Sequence, residues 1–385
     1  MYVAVKGGEA AVANSRKLVK RSRRGPLHIP KIGTDQVDHQ LGLAVDRVMA
    51  EGALYDRKAA AQAILQSQGD MVEAIFLLRA FRTTLKRFGN SKPVNTGKMQ
   101  VIRRVSGAFK DIPGGQILGP TYDYTHRLIE FEDEPEPPSR GIQPSREAQI
   151  DSDSTSPDQE LAGLAPRFQQ LPWVVDILRN QGLMPPASET LIGEAVEDLT
   201  REPLKVPASR SIRLQNLARG DEGFLLGTAY SLQRGFGLDR HPFLGELRVG
   251  YVELTYTPPE LGFEISIGRV KVTECFMINR NDGSENRSPG FENGYGLVFG
   301  QNERKAMSMS LLDRSLQSAE EGVEVKYPAQ DQEFVLSHSD NVESSGFVQH
   351  LKLPHYVDFQ SELVFIRNYT KDSQKKRKVP VESSV

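Results

Sequence analysis

The sequence predicts an α+β protein, with a helical N-terminal part and a mixed α/β C-terminal part joined through a flexible, acidic Pro/Ser-rich segment. Three observations carry this. Apolar residues recur at helical spacing from Val37 to Leu85. They alternate at strand spacing between Val249 and Ile267. Residues 132–160 are rich in Pro, Ser, Asp and Glu and almost lack large apolar side chains, so they cannot offset their ordering entropy. A chain of 385 residues holds two modest domains or one large domain with insertions. We divide it into 1–131, mainly helical with a Gly/Pro-rich loop; 132–165, a linker or insertion; 166–370, a mixed domain; and 371–385, a polar tail.

The elements follow in order. From Val37 the positions Leu41, Ala44, Val45 and Val48 form a helical stripe, with Gly52 as its stop. Arg57 to Gln66 is an Ala-rich helix capped by Asp56. Asp70-Met71-Val72-Glu73 has the form of a capping box and opens a helix with the stripe Ile75, Leu78, Phe81 and Leu85, read as packing between helices. Met99 to Val105 is a short strand. Lys110 to Pro120 combines glycines that permit positive φ with prolines that fix turns, which excludes regular structure. Met184 to Pro207 is interrupted by prolines and yields no assignment. Val249 and Tyr251, with Val252, Leu254 and Tyr256, suit a strand buried on both faces. Pro258 to Gly262 turns the chain, and Phe263, Ile265 and Ile267 return it. A helix is expected over Asn302 to Leu316, entered from the glycine run Gly294 to Gly300, and a last helix over Tyr356 to Tyr369, before a polar tail from Lys371.

Composition excludes several classes. The net charge is -2, so the whole chain has no bias toward nucleic acid or anionic membrane, and the basic runs Lys17 to Arg24 and Lys375 to Lys378 read as solvated. Cys275 is the only cysteine, which rules out an intramolecular disulfide, a multi-thiolate zinc site and a cysteine-ligated iron–sulfur cluster from this chain alone. The start, Met1 to Gly8, lacks the apolar stretch of a signal peptide, and no window approaches the roughly 18 apolar residues of a membrane helix. A cytoplasmic location is expected.

No phosphate loop of the Gly-x-x-x-x-Gly-Lys-Ser/Thr type, nucleophile elbow or His-Glu-x-x-His pair occurs. Four segments still concentrate chemistry. Tyr122, Asp123, Tyr124, His126 and Arg127 join aromatic faces suited to a base or sugar with a guanidinium suited to phosphate; an interface loop is the alternative. Asp221 and Glu222 lie between Gly220 and Gly223, leading on to Arg234; they suit work at a sugar carbon, cation binding, or a plain solvated turn. Arg304 and Lys305 fall in the first turn of a helix, where cations oppose the dipole and a bound polyphosphate would relieve the cost. His350 and His355 flank Leu-Lys-Leu-Pro, and a bend at Pro354 would let them share a metal, zinc before magnesium. Two ligands fall short of a closed site.

The stretches Met1 to Glu9, Leu43 to Met49, Glu73 to Ala80, Lys110 to Arg127, Arg219 to Gly223, Gly294 to Met307 and His350 to Gln360 together resemble the PhnI family of carbon–phosphorus lyase core-complex subunits. The resemblance spans nearly the whole chain and fails mainly over Glu132 to Pro207. It implies an assembly with PhnG, PhnH and PhnJ, two copies of each, and association with PhnK and PhnL. It also implies an enzyme activity of glycosyl-transfer type: methylphosphonate displaces adenine from ATP, carried with Mg, and yields α-D-ribose 1-methylphosphonate 5-triphosphate. Alone, such a subunit resembles a nucleosidase acting on ATP or GTP. The histidine pair His350 and His355 matches the family's zinc ligands at the boundary with PhnJ, which supplies the missing ligand.

Substrate β and product α at the anomeric carbon fit one inverting displacement. That step needs a carboxylate near the oxocarbenium-like centre, for which Asp221 or Glu222 is the candidate. It also needs a proton donor to the purine, Asp123 or His126, and cations for the triphosphate, Arg127, Arg234, Arg304 and Lys305. A non-catalytic scaffold that organises the complex and an interfacial zinc is the competing expectation.

Overall fold

A computed structural model describes residues 8–129, 131, 171–187, 197–235, 241–283 and 288–377. The linker expected at 132–165 lies outside the described residues, as do 188–196 of the proline-interrupted stretch and the tail beyond 377. Among the described residues the chain runs α1 (Gly8–Arg24), α2 (Thr34–Gln40), α3 (Gly42–Gly52), α4 (Arg57–Gln66), α5 (Met71–Arg82), β1 (Gln100–Val105), α6 (Val175–Asn180), α7 (Arg210–Arg219), α8 (Glu222–Gln233), β2 (Phe243–Tyr256), β3 (Ile265–Asn281), β4 (Gly290–Phe299), α9 (Glu303–Leu316), α10 (Gln332–His338), α11 (Asn341–His350) and α12 (Tyr356–Arg377). The protein is α+β. Its chain forms two compact units, Ile32–Asn341 and a smaller one made of Met1–Lys31 with Val342–Val385.

The larger unit is built on one antiparallel sheet in the order β1-β2-β3-β4. Alternation along β3 divides its side chains between two faces. Cys275 and Met277 join Val298, Met309 and Leu312 in the main core, together with Leu217, Leu225 and Leu232 from α7 and α8. Phe276 and Ile278 pack on the opposite face with Val175, Leu178 and Met184. On that face Glu246 is fully buried and accepts from Arg104 Nε at 2.6 Å, Arg248 Nε at 2.7 Å and the Val174 N–H at 2.9 Å, which fastens the segment entering α6 to the sheet. Glu274 beside it accepts from Thr96 Oγ1 and Tyr295 Oη at 2.6 and 2.9 Å. Burial pushes its carboxyl up, against the pull of those bonds and of Arg248.

Local sequence sets the helix starts. Asp56 accepts from the Ala59 N–H at 2.9 Å, and Asp70 from those of Val72 and Glu73 at 3.0 and 3.2 Å, as the caps were expected to do. Four expectations are corrected. The stripe from Val37 is two helices: Leu41, at φ -115°, breaks them, and the second ends in left-handed Ala53 just after Gly52. Phe81 and Leu85 are exposed, so the stripe of α5 buries only Ile75 and Leu78. The polar tail begins later, because Lys371 to Arg377, rich in good helix formers, continues α12.

The largest correction concerns the glycine run. Gly294, Gly296 and their neighbours form β4, and the residues of a helix entry are only Gly300 to Asn302. A Cβ on Gly294 would lie 1.8 Å from the Ser310 carbonyl oxygen, and one on Gly296 2.2 Å from that of Ala306. The glycines let α9 lie directly on the strand, which is why they mimic a loop in sequence.

In the smaller unit, α1, α12 and the part of α11 beyond Asn341 leave many apolar side chains exposed, among them Leu18, Phe347, Leu351, Val357, Phe359 and Phe365.

Candidate functional site

Within the larger unit, a polar knot gathers where α3, α5, α8 and α9 meet. Glu51, fully buried near the end of α3, receives three donors. Its Oε1 accepts from Arg47 Nε at 3.0 Å and from the Glu222 N–H at 3.1 Å, and its Oε2 accepts from Asn341 Nδ2 at 2.5 Å. Asp221 caps α8 through the Phe224 N–H at 2.7 Å, while its other oxygen accepts from Arg47 Nη2 at 3.2 Å and Asn341 Nδ2 at 3.3 Å. Arg79 donates to both oxygens of Asp340 at 2.7 and 2.5 Å, and through Nε to the Glu51 carbonyl at 2.9 Å. Glu222 accepts from Arg304 Nε at 2.8 Å, a guanidinium whose side chain is 74% exposed.

Lys305 follows Arg304 in the first turn of α9. Its side chain is fully buried, and among the described residues its Nζ has no hydrogen-bond partner. Burial lowers its pKa most; Glu51 and Glu222 raise it, Arg47 and Arg79 lower it further, and the result is about 8. Arg47, Arg79, Arg304 and Lys305 thus face Glu51, Asp221, Glu222 and Asp340, cation for carboxylate.

A second group borders the start of α9. Arg103, almost fully buried, donates to Asp123 Oδ2 at 2.6 Å and to the Leu118 carbonyl at 2.5 Å, and pairs with Glu303 at 3.0 Å. Gln301 Nε2 reaches the Pro120 carbonyl at 3.2 Å. Arg127, in the left-handed region at φ 54°, pairs with Asp123 at 3.5 Å. The loop carrying Asp123 and Arg127 is thereby tied to the helix turn that carries Arg304. His126, Tyr122 and Tyr124 on the same loop are exposed. Asp46 fixes the turn itself: it accepts from Arg57 Nη1 at 2.9 Å and the Gln301 N–H at 2.8 Å, and pairs with Lys271 at 3.2 Å.

Of the residues chosen from sequence, Asp221, Glu222, Arg304 and Lys305 come together, and Asp123 and Arg127 stand on the adjoining loop. Arg234 does not join them. It lies past the far end of α8, about 18 Å along the axis, with its guanidinium 6.0 Å from the Tyr230 ring. Sequence reasoning missed Glu51, Arg79 and Arg103. Only the Arg47-to-Glu51 spacing of four, one helix turn, carried a signal, and it is a common one.

His350 and His355 belong to the smaller unit. Their Nε2 atoms are 3.0 Å apart and their rings perpendicular at 88°. Nδ1 of His355 is 2.7 Å from the Leu353 carbonyl; donation there leaves the Nε2 lone pair free. Two imidazole nitrogens on one tetrahedral zinc stand about 3.3 Å apart for bonds of about 2.0–2.1 Å. The pair therefore fits a shared ion as two of its ligands. Among the described residues no group of three or more His, Cys, Asp or Glu side chains is placed to hold one.

Known proteins resemble this chain along nearly its whole length. The model of a bacterial phosphonate metabolism family, PhnI, matches residues 1–373. The chain is 54% identical over 372 residues to the α-D-ribose 1-methylphosphonate 5-triphosphate synthase subunit PhnI of Rhizobium meliloti (strain 1021), covering 97% of this chain and 95% of that one. It is 50% identical over 367 residues to the subunit of the same name from Escherichia coli (strain K12), covering 95% and 98%. A putative C-P lyase subunit protein, HtxH of Stutzerimonas stutzeri, is 43% identical over 372 residues, covering 95% of each chain. With nearly the whole length matched in each case, the chain belongs to the PhnI family of bacterial phosphonate metabolism proteins.

Proposed function

We propose that this chain is the subunit that joins a phosphonate to the anomeric carbon of a nucleoside triphosphate, with methylphosphonate and ATP as substrates and adenine as the leaving group. The observation that carries the reading is its identity, 54% and 50% over nearly full length, to two subunits named for synthesis of α-D-ribose 1-methylphosphonate 5-triphosphate. The polar knot supports it from the chain's own residues.

Glu222 is the carboxylate assigned to the anomeric centre. Both oxygens of Asp221 are already engaged as helix cap and acceptor, whereas Glu222 meets one exposed guanidinium that a ligand can displace. Negative charge held there stabilises the oxocarbenium-like transition state as the purine leaves. His126, exposed beside Asp123, protonates the departing base, since both Asp123 oxygens are paired with arginines. Arg304 and Arg127 hold the triphosphate, which arrives with magnesium. A phosphonate oxygen attacks from the face opposite the base, so configuration inverts in one displacement.

The smaller unit is assigned a zinc at His350 and His355, completed by ligands from a partner subunit. When bound, the ion would supply a fixed cross-link or a Lewis acid. His355 contributes an oriented Nε2 through its Nδ1 bond to the chain. PhnG, PhnH and PhnJ are the partners proposed for the assembly, with PhnK and PhnL associated.

The test is release of free adenine from ATP by the purified chain, alone and with PhnG, PhnH and PhnL. Base release that Glu222→Gln lowers on the order of a hundredfold or more supports the reading. No release in either mixture would assign the chain to scaffolding.

A further inference from the structure

Lys305 is not explained by the reaction as proposed. Burying an ammonium without an acceptor is costly, and proteins retain such groups where they act on a neighbour. The charges that act on it are Glu51 and Arg47 from α3, Arg79 from α5 and Glu222 from α8, with Arg304 preceding it on its own helix. Arg304 is largely in solvent, so its pairing with Glu222 is screened and weakly held. The buried ammonium of Lys305 is therefore the charge near this carboxylate that a substrate cannot displace. Glu51 is tied to the same carboxylate through the backbone. Its Oε1 accepts the Glu222 N–H, which fixes where the first turn of α8 starts.

We propose that Lys305 and Glu51 are positioning residues for Glu222. The buried ammonium attracts the Glu222 carboxylate and holds it in place, and the Glu51 carboxylate attracts that ammonium while it anchors the start of α8. The inference rests on Glu222 being the carboxylate that faces the anomeric centre.

The arrangement has a pH consequence. Lys305 carries its charge below about pH 8 and loses it above, so the activity that depends on it falls on the alkaline side. Removing the charge of Glu51 removes an attraction that raises the Lys305 pKa, and the alkaline fall moves to lower pH.

The experiment is single-turnover base release by the assembled complex, measured from about pH 6 to about pH 10. The variants are Glu51→Gln, Glu51→Asp and Lys305→Met. Glu51→Gln keeps an acceptor for the Glu222 N–H, and its rate is expected to drop on the order of tenfold at pH 8 and by less at pH 6, with the alkaline limb displaced downward. Glu51→Asp retains the charge, so its rate falls while the limb stays in place. Lys305→Met lowers kcat on the order of tenfold or more, leaves KM within about twofold, and abolishes the limb.

A Glu51→Gln rate reduced equally at every pH with the limb unmoved would overturn the inference, as would a Lys305→Met enzyme with the parent kcat and limb. If Glu51→Gln does not assemble, Glu51→Asp decides alone, and a displaced limb there overturns the inference. A parent complex that releases no base at any pH removes the proposed function, and this inference with it.

Discussion

Gly294→Ala tests the placement of α9 on the sheet, on which the whole candidate site depends. The added Cβ would sit 1.8 Å from the Ser310 carbonyl oxygen and 2.9 Å from Arg314 Cβ. An ordinary contact needs about 3.2 Å, so helix and strand must part by about 1.4 Å. Two bonds of Ser310 Oγ, to the Gly294 carbonyl and from the Met277 N–H, both 2.8 Å, stretch with that movement. Losing them costs about 1 kcal/mol each, and overpacking adds about 1–3 kcal/mol. The expected loss is thus about 3–5 kcal/mol, read from urea unfolding followed by circular dichroism. Gly227→Ala is the control. It lies within α8 with nothing inside 4 Å of the added atom, so it should gain about 0.5–1 kcal/mol from helix propensity. A Gly294→Ala protein within about 0.5 kcal/mol of the parent would refute the strand and restore the loop reading of the glycine run.

Other outcomes follow from the same geometry. Asp340→Ala leaves the largely buried Arg79 guanidinium without its carboxylate and should cost about 3 kcal/mol in urea unfolding. Asp70→Ala removes two N–H acceptors from the start of α5 and should cost about 1 kcal/mol. Burial pushes the Asp198 carboxyl up, but hydrogen bonds from Thr200 and Arg87 outweigh it and hold the pKa at about 2, against 3.8 ordinarily. The stabilisation is present above about pH 4 and lost as pH falls toward 2; Asp198→Asn should remove about 1 kcal/mol of it, discounted for partial exposure, and flatten acid unfolding in that window. Zinc measured in the purified complex should fall in His350→Ala and in His355→Ala, and equal zinc in parent and variants would exclude the pair as ligands.

Sequence alone reached the elements whose causes are local. Asp56 and Asp70 cap helices because the acceptor and the N–H groups it meets are two or three residues apart. The pairing of β2 with β3 was legible from alternation between Val249 and Ile267 and from the turn between them. Gly294 to Gly300 misled because the cause of its glycines is α9, folded back on the strand, and composition registers the glycines without their neighbour. The site divides in the same way. Asp221 and Glu222 announced themselves between glycines, and Arg304 and Lys305 in a helix start. What joins the two pairs is Glu51, 171 residues before Glu222 in the chain. Only Arg47, one helix turn before it, marks Glu51 in sequence, since its other partners come from α8 and from Asn341. For the same reason Lys305 was read as a phosphate ligand in a helix start: nothing in the sequence around it records the packing that buries its ammonium.

The most direct measurement is a phosphorus NMR spectrum of the reconstituted subunits with methylphosphonate and ATP, taken alongside an assay for free adenine. A new phosphonate-ester resonance that grows in step with adenine is expected, and Glu222→Gln should suppress both together. An unchanged methylphosphonate resonance with no adenine released, from an assembled and folded complex, would contradict the assignment of ribose transfer to this chain.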